Sequence, residues 1–366
     1  MHMNGLNSTS SFIKYNYQQL VNLYLQEFEE ASKGFKLPQI KYEFTIARNE
    51  IASTPEFFIA IPIKNQESLI SEVLTNLVSR LDFSFEIGLL FDNCDDSSFQ
   101  VAVDTISNAM EDNDRLNQVH FVRSIDELFE STCENVLFRM CEAKYFVSFQ
   151  ADTLIEDSSF FNRCQSAFEK VPNLLGVSGR ATVPFMPSNL VKARLISLFS
   201  FANVFAMLSP RVFRKRRLGP FLRGMDYFGD TSGFPFPRMK FSRREKTTLF
   251  IGEAVIRGPI VWSAEKFRNL GGFNDVAFFL GRDDCDLSLR GLRNGYAVGY
   301  LPCEQISNPN HGTTRKPRTK EVQARLEERT VLHSAQPGSL DFYWNTELRE
   351  RRRILADSKL RRIGID

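Results

Sequence analysis

The chain has 366 residues, of which 43% are hydrophobic and 25% are charged, as in ordinary globular proteins. The formal net charge is only +2, so overall charge does not indicate a nucleic-acid-binding protein. The six cysteines form no CxxC pair and no zinc-ligand spacing, which favours reduced thiols and a cytoplasmic location. No signal-peptide pattern and no apolar stretch of roughly 20 residues is present, so we expect at most peripheral membrane contact.

Strand-length apolar runs alternate with segments that carry apolar residues at helical spacing. Before this region, the amphipathic pattern of Tyr15–Ser32 predicts an N-terminal helix. The predicted strands are Phe57–Ile63, Phe85–Phe91, Val119–Val122 and Tyr145–Phe149. The predicted helices between and after them are Glu67–Arg80, Ser98–Met110, Cys133–Cys141 and Ser158–Lys170. This alternation predicts an α/β fold with a mostly parallel, Rossmann-like sheet and helices on both faces.

Beyond Leu174 the alternation weakens, and residues 211–246 form a basic segment rich in Gly and Pro. Three interpretations of this segment stay open: a solvated loop, a lid over a diphosphate, or a surface for anionic lipid headgroups. Ordered elements are predicted again at Leu249–Trp262, Glu265–Leu270, Asp283–Asn294 and Tyr296–Leu301. We therefore expect a helical extension over residues 1–53, one large domain over 54–316 and a basic helical tail over 317–366.

Polar residues follow three of the predicted strands. They are Lys64–Glu67, then Asp92, Asn93, Asp95 and Asp96, and then Gln150 and Asp152. Ligands of parallel sheets sit at the carboxyl ends of the strands, where carboxylates can bind a ribose hydroxyl or hold a divalent cation against phosphates. For any single group, loop solubility and helix capping are equally good explanations. Three such groups at successive strand ends favour a binding site.

A fourth acidic group, Asp283, Asp284 and Asp286, follows the Gly271–Gly272 turn. The start of a predicted helix favours one or two acids through the helix dipole. Three acids in four positions exceed that need, and a carboxylate held at a helix start can act as a general base.

The order of these motifs resembles glycosyltransferase family 2, the inverting nucleotide-sugar transferases with a GT-A fold. IPIKNQE resembles the first strand of that family, FDNCDD its nucleotide-binding turn and FQAD the end of its metal-binding strand. The most specific match is WSAEKFRNLGGFNDVAFFLGRDDCDLSLR, which resembles the family's acceptor and catalytic segment. The resemblance covers roughly residues 57–314.

The resemblance implies roles for individual residues. Asp284 would be the catalytic base, and Asp283 would position the acceptor. The donor nucleotide would contact Pro62, Glu67, Asp92, Asn93, Asp95 and Gln150. Mn²⁺ or Mg²⁺ would be held by Asp152, with His311 touching the metal or the diphosphate. Contacts with acceptor or diphosphate would come from Gly272, Trp262, Arg282 and Arg290.

Three positions depart from the family pattern: Gln150 replaces the first motif aspartate, Asn93 the second acid of the nucleotide turn and Cys94 its glycine. We expect transfer of a hexose or N-acetylhexosamine from a nucleotide sugar, with UDP as the expected nucleotide, to a hydroxyl of a glycan or lipid-linked glycan. The alternative is a transferase-like binding protein for a glycan, an anionic lipid or nucleic acid, without catalysis. Nucleotidyl transfer is disfavoured because IPIKNQE lacks a phosphate-loop glycine.

Overall fold

A computed structural model describes residues 40–47, 55–183, 228–229, 243–275, 283–307, 320, 324 and 362–365. In chain order the strands of the first half are β1 (Ile40–Ala47), β2 (Phe57–Ile63), β3 (Phe85–Asp92), β4 (Leu116–Ser124), β5 (Tyr145–Ser148), β6 (Thr153–Ile155), β7 (Leu174–Ser178) and β8 (Ala181–Val183). Those of the second half are β9 (Phe228–Gly229), β10 (Thr248–Gly252), β11 (Ala254–Ile256), β12 (Ile260–Ser263), β13 (Ala297–Tyr300), β14 (Gln305–Ser307) and β15 (Arg362–Gly364).

Seven helices occur in this described part of the chain. They are α1 (Ile70–Arg80), α2 (Ser98–Asp112), α3 (Glu130–Phe138), α4 (Phe160–Lys170), α5 (Arg243–Lys246), α6 (Ala264–Asn269) and α7 (Asp283–Arg293).

The central sheet has ten strands in the order β1-β4-β3-β2-β5-β12-β7-β13-β10-β15. The neighbours β4, β3, β2 and β5 are parallel, whereas β12 is antiparallel to both β5 and β7. Because β1 and β10 also oppose their neighbours, three strands run against the other seven. The prediction of an α/β fold with a mostly parallel central sheet is confirmed.

Helices cover both faces of this sheet, which explains why the strands are apolar throughout. In β2 the side chains of Phe57, Ile59, Ile61 and Ile63 belong to one core cluster, while Phe58 and Ala60 belong to the other. The first cluster includes the apolar sides of α1 and α4, and the second includes those of α3 and α6. Strands buried on two faces have no polar side, so FFIAIPI shows no polar alternation.

Apart from the short strand β6, which was not predicted, the elements from β2 to α4 follow the predicted order, with ends that differ by a few residues. The sequence pattern missed β7, whose strand LLGVS is short and fully buried. It also missed β1, which pairs with β4, and β15, which pairs with β10. Residues 40–47 and 362–364 of the predicted flanking segments therefore belong to the central sheet, while the predicted helix Tyr15–Ser32 lies outside the described residues.

The parallel strands β2, β3 and β5 end at the same edge of the sheet. We call the residues that follow them, 64–67, 93–98 and 149–152, the rim. Among the described helices, none combines the length and hydrophobicity that crossing a bilayer requires.

Candidate active site

The loops after β2 and β3 are joined by reciprocal hydrogen bonds. The backbone N–H of Glu67 donates to Asp96 Oδ2 at 3.1 Å, and Glu67 Oε2 accepts from the Ser97 N–H at 3.0 Å. The side-chain amide of Asn65 donates to the carboxylate of Asp95, and its oxygen accepts from the Asp95 N–H at 3.1 Å. The structure thus brings together Glu67 and Asp95, both exposed, at the rim.

Two asparagines form the sharp turns of these loops. Asn65 and Asn93 have φ angles of 50° and 46°, in the left-handed region that asparagine tolerates better than most residues. Lys64 Nζ donates to the carbonyl oxygen of Asn93 at 2.7 Å, and the thiol of Cys94 donates to the Ile63 carbonyl at 3.3 Å. Asparagine at position 93 and cysteine at position 94 therefore serve the loop geometry. Burial raises the pKa of Cys94 to about 11, so its thiol is protonated at neutral pH and fits the role of a spacer.

Asp92, at the end of β3, holds the start of α3. Its Oδ1 accepts from the Leu128 N–H at 2.6 Å and its Oδ2 from the Phe129 N–H at 3.0 Å. Burial raises the pKa of Asp92 to about 6, although these two hydrogen bonds act in the opposite direction. Phe129 has a φ of 67°, a strained value for a bulky residue, and Asp92 fixes it immediately before Glu130. Its contact with the donor nucleotide stays a prediction.

Arg257, in the turn between β11 and β12, is surrounded by four carboxyl groups, of which those of Glu134, Asp283 and Asp284 are buried and that of Glu130 is half-buried. Its Nη1 lies 2.8 Å from Glu130 Oε1 and 2.8 Å from Glu134 Oε1, both on α3. Its Nη2 and Nε donate to Asp283 on α7, the latter at 3.4 Å. Its backbone N–H donates to Asp284 Oδ2 at 2.8 Å. We call Arg257, Glu130, Glu134, Asp283 and Asp284 the Arg257 cluster.

The carboxylate of Asp284 is fixed by two backbone donors, because Oδ1 also accepts from the Cys285 N–H at 2.7 Å. Burial raises the pKa of Asp284 to about 7; the charge of Asp283 adds to this rise, and Arg257 opposes it. Asp284 is therefore a rigid carboxylate that exchanges its proton near neutral pH. Asp283 is fully buried against Arg257, so the structure places it beside the predicted base.

One guanidinium cannot balance the charges of all four carboxyl groups around it. Burial raises the pKa of Glu134 to about 8, so this residue carries a proton at neutral pH despite its contact with Arg257. Burial likewise raises the pKa of Glu130. In the opposite direction, Asp283, Glu130 and Glu134 overcome the effect of burial and keep the pKa of Arg257 well above its ordinary value.

The residues that follow β5 contact the Arg257 cluster through Glu130. The side chain of Gln150 hydrogen-bonds to Glu130, and the charge of Asp152 acts on the same carboxyl group. Glu130 therefore links three features that are far apart in sequence: the Asp92-held turn, the Gln150–Asp152 end of β5, and Arg257 with Asp283.

Trp262 does not lie on an accessible surface, contrary to the acceptor or diphosphate contact that the resemblance implied. Its side chain is fully buried, and its indole N–H donates to Ser148 Oγ at 3.0 Å. That hydroxyl in turn donates to Glu134 Oε2 at 3.0 Å. A Cβ atom on Gly176 would lie 2.3 Å from the Trp262 ring, so the neighbouring strand β7 needs glycine there. Trp262 supports the Arg257 cluster from the core.

Gly272 and Arg290 likewise make contacts within the protein, which hold the glycine turn against α7. Gly272 has a φ of +75°, and a Cβ at this position would lie 2.7 Å from Asn135 Oδ1. Arg290 donates to the carbonyl oxygens of Leu270 at 2.6 Å and Gly272 at 2.7 Å, and its Nε donates to Asp286 at 2.7 Å. These contacts join the glycine turn to α7, and contacts of Gly272 and Arg290 with substrate stay predictions.

Of the remaining predicted site residues, some lie in the described part of the chain and others do not. Pro62 is half-buried in β2, one residue before the strand ends and opposite Leu90 of β3. Arg282, His311 and most of the basic segment 211–246 lie outside the described residues.

Sequence reasoning missed Glu130, Glu134 and Arg257. A signal was present for Glu134 and Arg257, because charged residues rarely occupy buried positions unless they are paired. Glu134 lies between the buried Cys133 and Val136, and Arg257 interrupts the apolar segment that includes Ala254–Ile256 and Ile260–Ser263. The pairing of Arg257 with Glu130 and Glu134 could not be predicted from the sequence, since α3 and the β11–β12 turn are more than a hundred residues apart.

The residues near Gln150 fit the divalent cation that the resemblance implies. No set of three or more His, Cys, Asp or Glu side chains in the described part forms a complete metal cage. Mg²⁺ in phosphate-binding sites needs fewer protein ligands, since it takes one or two carboxylates together with substrate phosphates and water. Asp152 and Glu130, with the amide of Gln150 beside them, supply oxygen donors of that kind.

Comparisons with known proteins give only remote matches. No protein-family model matches the sequence, and no curated protein matches it. Among solved structures, the chain is similar to a mannosyltransferase, PcManGT from Pyrobaculum calidifontis in complex with GDP-Man and Mn²⁺, at 14% identity, with a TM-score of 0.45 over 97% of this chain and 88% of that chain. It is also similar to residues 1–349 of S. aureus TarS in complex with UDP-GlcNAc, at 13% identity, with a TM-score of 0.44 over 83% of this chain and 68% of that chain.

Proposed function

We propose that the protein is an inverting glycosyltransferase of the GT-A type, which transfers a hexose or N-acetylhexosamine from a nucleotide sugar to an acceptor hydroxyl. The observation that carries the proposal is Asp284, a buried carboxylate fixed by two backbone N–H groups, with a pKa of about 7, beside the rim of a mostly parallel sheet. A base whose pKa is near the working pH is deprotonated in a large fraction of the molecules and still binds a proton strongly enough to remove it from the acceptor.

Asp284 would remove the proton from the acceptor hydroxyl as the hydroxyl oxygen attacks the anomeric carbon. The bond from that carbon to the nucleoside diphosphate breaks in the same step, so the sugar inverts and no enzyme nucleophile is required. General base catalysis of this kind contributes on the order of 10²–10⁴-fold to the rate. Asp283, fixed by Arg257 next to the base, would position the acceptor.

The donor nucleotide would lie along the rim. Glu67 and Asp95 are exposed there, and the interlocked loops hold them in place before any ligand arrives, which lowers the ordering cost of binding. Lys64 adds a positive charge at the same edge. We propose UDP as the nucleotide; this choice rests on the resemblance of the FDNCDD turn.

A bound Mn²⁺ or Mg²⁺ would neutralise charge on the diphosphate leaving group. Its protein ligands would be Asp152 and Glu130, with the Gln150 oxygen as a neutral neighbour. His311 stays the further proposed contact. The acceptor would be a growing glycan or a lipid-linked glycan, and the basic segment 211–246 would meet an anionic membrane surface on the cytoplasmic side.

The test is a panel of nucleotide sugars with Mn²⁺, Mg²⁺ or EDTA, followed by thermal shift and by release of nucleoside diphosphate. We expect one nucleotide family to stabilise the protein in a metal-dependent manner, with diphosphate release accelerated by an acceptor glycan. Donor binding without any release or transfer would support a non-catalytic binding protein instead. Absence of a shift with every nucleotide would contradict both the donor and the metal assignments.

A further inference from the structure

Arg257 makes two different kinds of contact with the acids around it. Its backbone N–H holds one oxygen of Asp284 at 2.8 Å. Its guanidinium reaches Asp283 on α7 and both Glu130 and Glu134 on α3. A single residue therefore connects the predicted base, the neighbour of that base and the helix that faces the third strand end.

The guanidinium is the cation that allows these helices to approach each other. Its side chain is only 12% exposed, and Asp283 and Glu134 are more deeply buried still. Without a positive charge between them, carboxylates in so dry a place would repel one another or take up protons. The planar fork of arginine also fixes directions, because separate N–H groups point to α3 and to α7.

We propose that Arg257 is the positioning residue of the active site, which sets the location of Asp284 and Asp283 relative to the acceptor and places a positive charge beside them. This inference rests on the proposed function. It goes further by assigning to one turn residue the alignment of acids from two helices. Arg257 itself does not touch the substrate in this account, since its guanidinium N–H groups face protein carboxylates.

The experiment must separate positioning from mere stability, because removal of a buried arginine leaves unpaired acids. The double variant Arg257→Gln/Glu134→Gln replaces the guanidinium together with its most deeply buried partner on α3, so that this acid is not left facing an empty position. Glutamine at position 134 can still accept from Ser148, and residue 257 keeps its backbone N–H to Asp284. Arg257→Lys is the conservative variant, since it keeps the charge but loses the fork.

A matched control exists elsewhere in the fold. Arg163 pairs with Asp157 at 2.6 Å, and its side chain is 12% exposed, as is that of Arg257. Arg163 lies on α4 and also donates to the carbonyl oxygen of Pro302, so this pair is outside the proposed site. The control variant is Arg163→Gln/Asp157→Asn, which we expect to change stability without changing donor affinity or transfer.

In the 366-residue chain, we expect Arg257→Gln/Glu134→Gln to fold and to keep donor affinity within about threefold. Transfer should fall about 100-fold, as misplacement of reacting groups by about 1 Å can do. Arg257→Lys should recover part of that loss. Transfer within threefold of the parent rate in a folded double variant would overturn the proposal, since Arg257 would then be structural only.

A second readout does not depend on turnover. The carboxyl carbon of Asp284, labelled with ¹³C and identified by its loss in Asp284→Asn, is titrated by NMR in the parent and in the double variant. The charges that act on Asp284 are Asp283 on its own helix and Arg257 on the facing turn, with Glu130 and Glu134 behind Arg257. We expect the midpoint to rise when Arg257 is replaced, and an unchanged midpoint would overturn the proposal.

The two readouts distinguish the failure of this inference from the failure of the proposed function. If the parent protein neither binds nor turns over any nucleotide sugar, the proposed function fails, and the NMR titration still decides whether Arg257 controls Asp284. If the parent is active and the double variant is equally active, only the inference fails.

Discussion

The rim loops and the Arg257 cluster both bring acidic side chains to the same edge of the sheet, but they hold them in different ways. In the rim loops, Glu67 and Asp95 are exposed, and their partners are backbone N–H groups and the amide of Asn65. In the Arg257 cluster three of the four acids are buried and Glu130 is half-buried, and they depend on one guanidinium and on backbone donors.

The two groups of carboxylates differ in how much of their hydration they keep in the folded protein. An exposed carboxylate keeps most of its hydration, so its removal has little effect on folding and its charge is available to a ligand. A buried carboxylate has lost that hydration, so its ionisation depends on a few fixed neighbours and responds strongly to their loss. The rim loops are suited to binding, and the Arg257 cluster is suited to proton transfer. Four predictions test this division.

The largest effect is expected for Asp284→Asn. Transfer should fall by about 10²–10⁴-fold because the amide cannot accept the acceptor proton. Donor affinity, measured by calorimetry, should stay within about threefold because the nucleotide lies along the rim. Asp104→Asn, an exposed acid on α2 that accepts from Gln100, is the control and should be fully active. Loss of donor binding in Asp284→Asn, with an unchanged unfolding midpoint, would remove Asp284 from the base role.

The next largest effect is expected in the pH dependence of the free energy of unfolding, through Glu134. Glu134 has a folded-state pKa of about 8 against an ordinary 4.5, so the folded state holds a proton that the unfolded chain releases. The contribution of this proton to the free energy of unfolding is fully present below about pH 4.5 and is lost as the pH rises to about 8; it is on the order of 5 kcal/mol.

The measurement for Glu134 is urea unfolding of the parent and of Glu134→Gln between pH 5 and pH 9. The variant lacks the titrating group, so its free energy of unfolding should rise relative to that of the parent as the pH increases. Parallel curves for the two proteins would show that Glu134 is ionised in the folded state throughout this range.

A smaller effect is expected for Trp262→Phe. The change removes the indole N–H to Ser148 and leaves a gap against Gly176, which should lower the free energy of unfolding by about 1–3 kcal/mol. Donor affinity and the KM for acceptor should stay within threefold. An acceptor KM raised more than tenfold at unchanged stability would instead support the acceptor contact that the resemblance implied.

The smallest effect on folding is expected for Asp95→Asn. Stability should change by less than about 0.5 kcal/mol because the side chain is exposed. Donor affinity should fall by about tenfold if Asp95 accepts a hydrogen bond from the nucleotide. Asp82→Asn is a matched control, because Asp82 also accepts from an asparagine amide, that of Asn162, away from the rim. Equal donor affinity in both variants would remove Asp95 from the binding site.

Several parts of the site could be predicted because they follow directly from local pattern. FFIAIPI and FEIGLLF are apolar runs of strand length, so the positions after them had to lie at strand ends, and parallel pairing places those ends together. The acids at the start of α7 were predictable in the same way. Trp262 was misplaced because a tryptophan at the end of a short strand looks the same in sequence whether its ring faces solvent or core.

The sequence by itself determined the order of the principal strands and helices from β2 to α4, though not the short β6, and the location of acidic side chains at strand ends, because side-chain periodicity and turn preferences are local. Only the tertiary structure decided that β12 inserts antiparallel between β5 and β7 and brings Arg257 against α3 and α7. That pairing joins residues more than a hundred positions apart, and its stability depends on burying several charges around one cation, a property of the assembled site that no single segment contains.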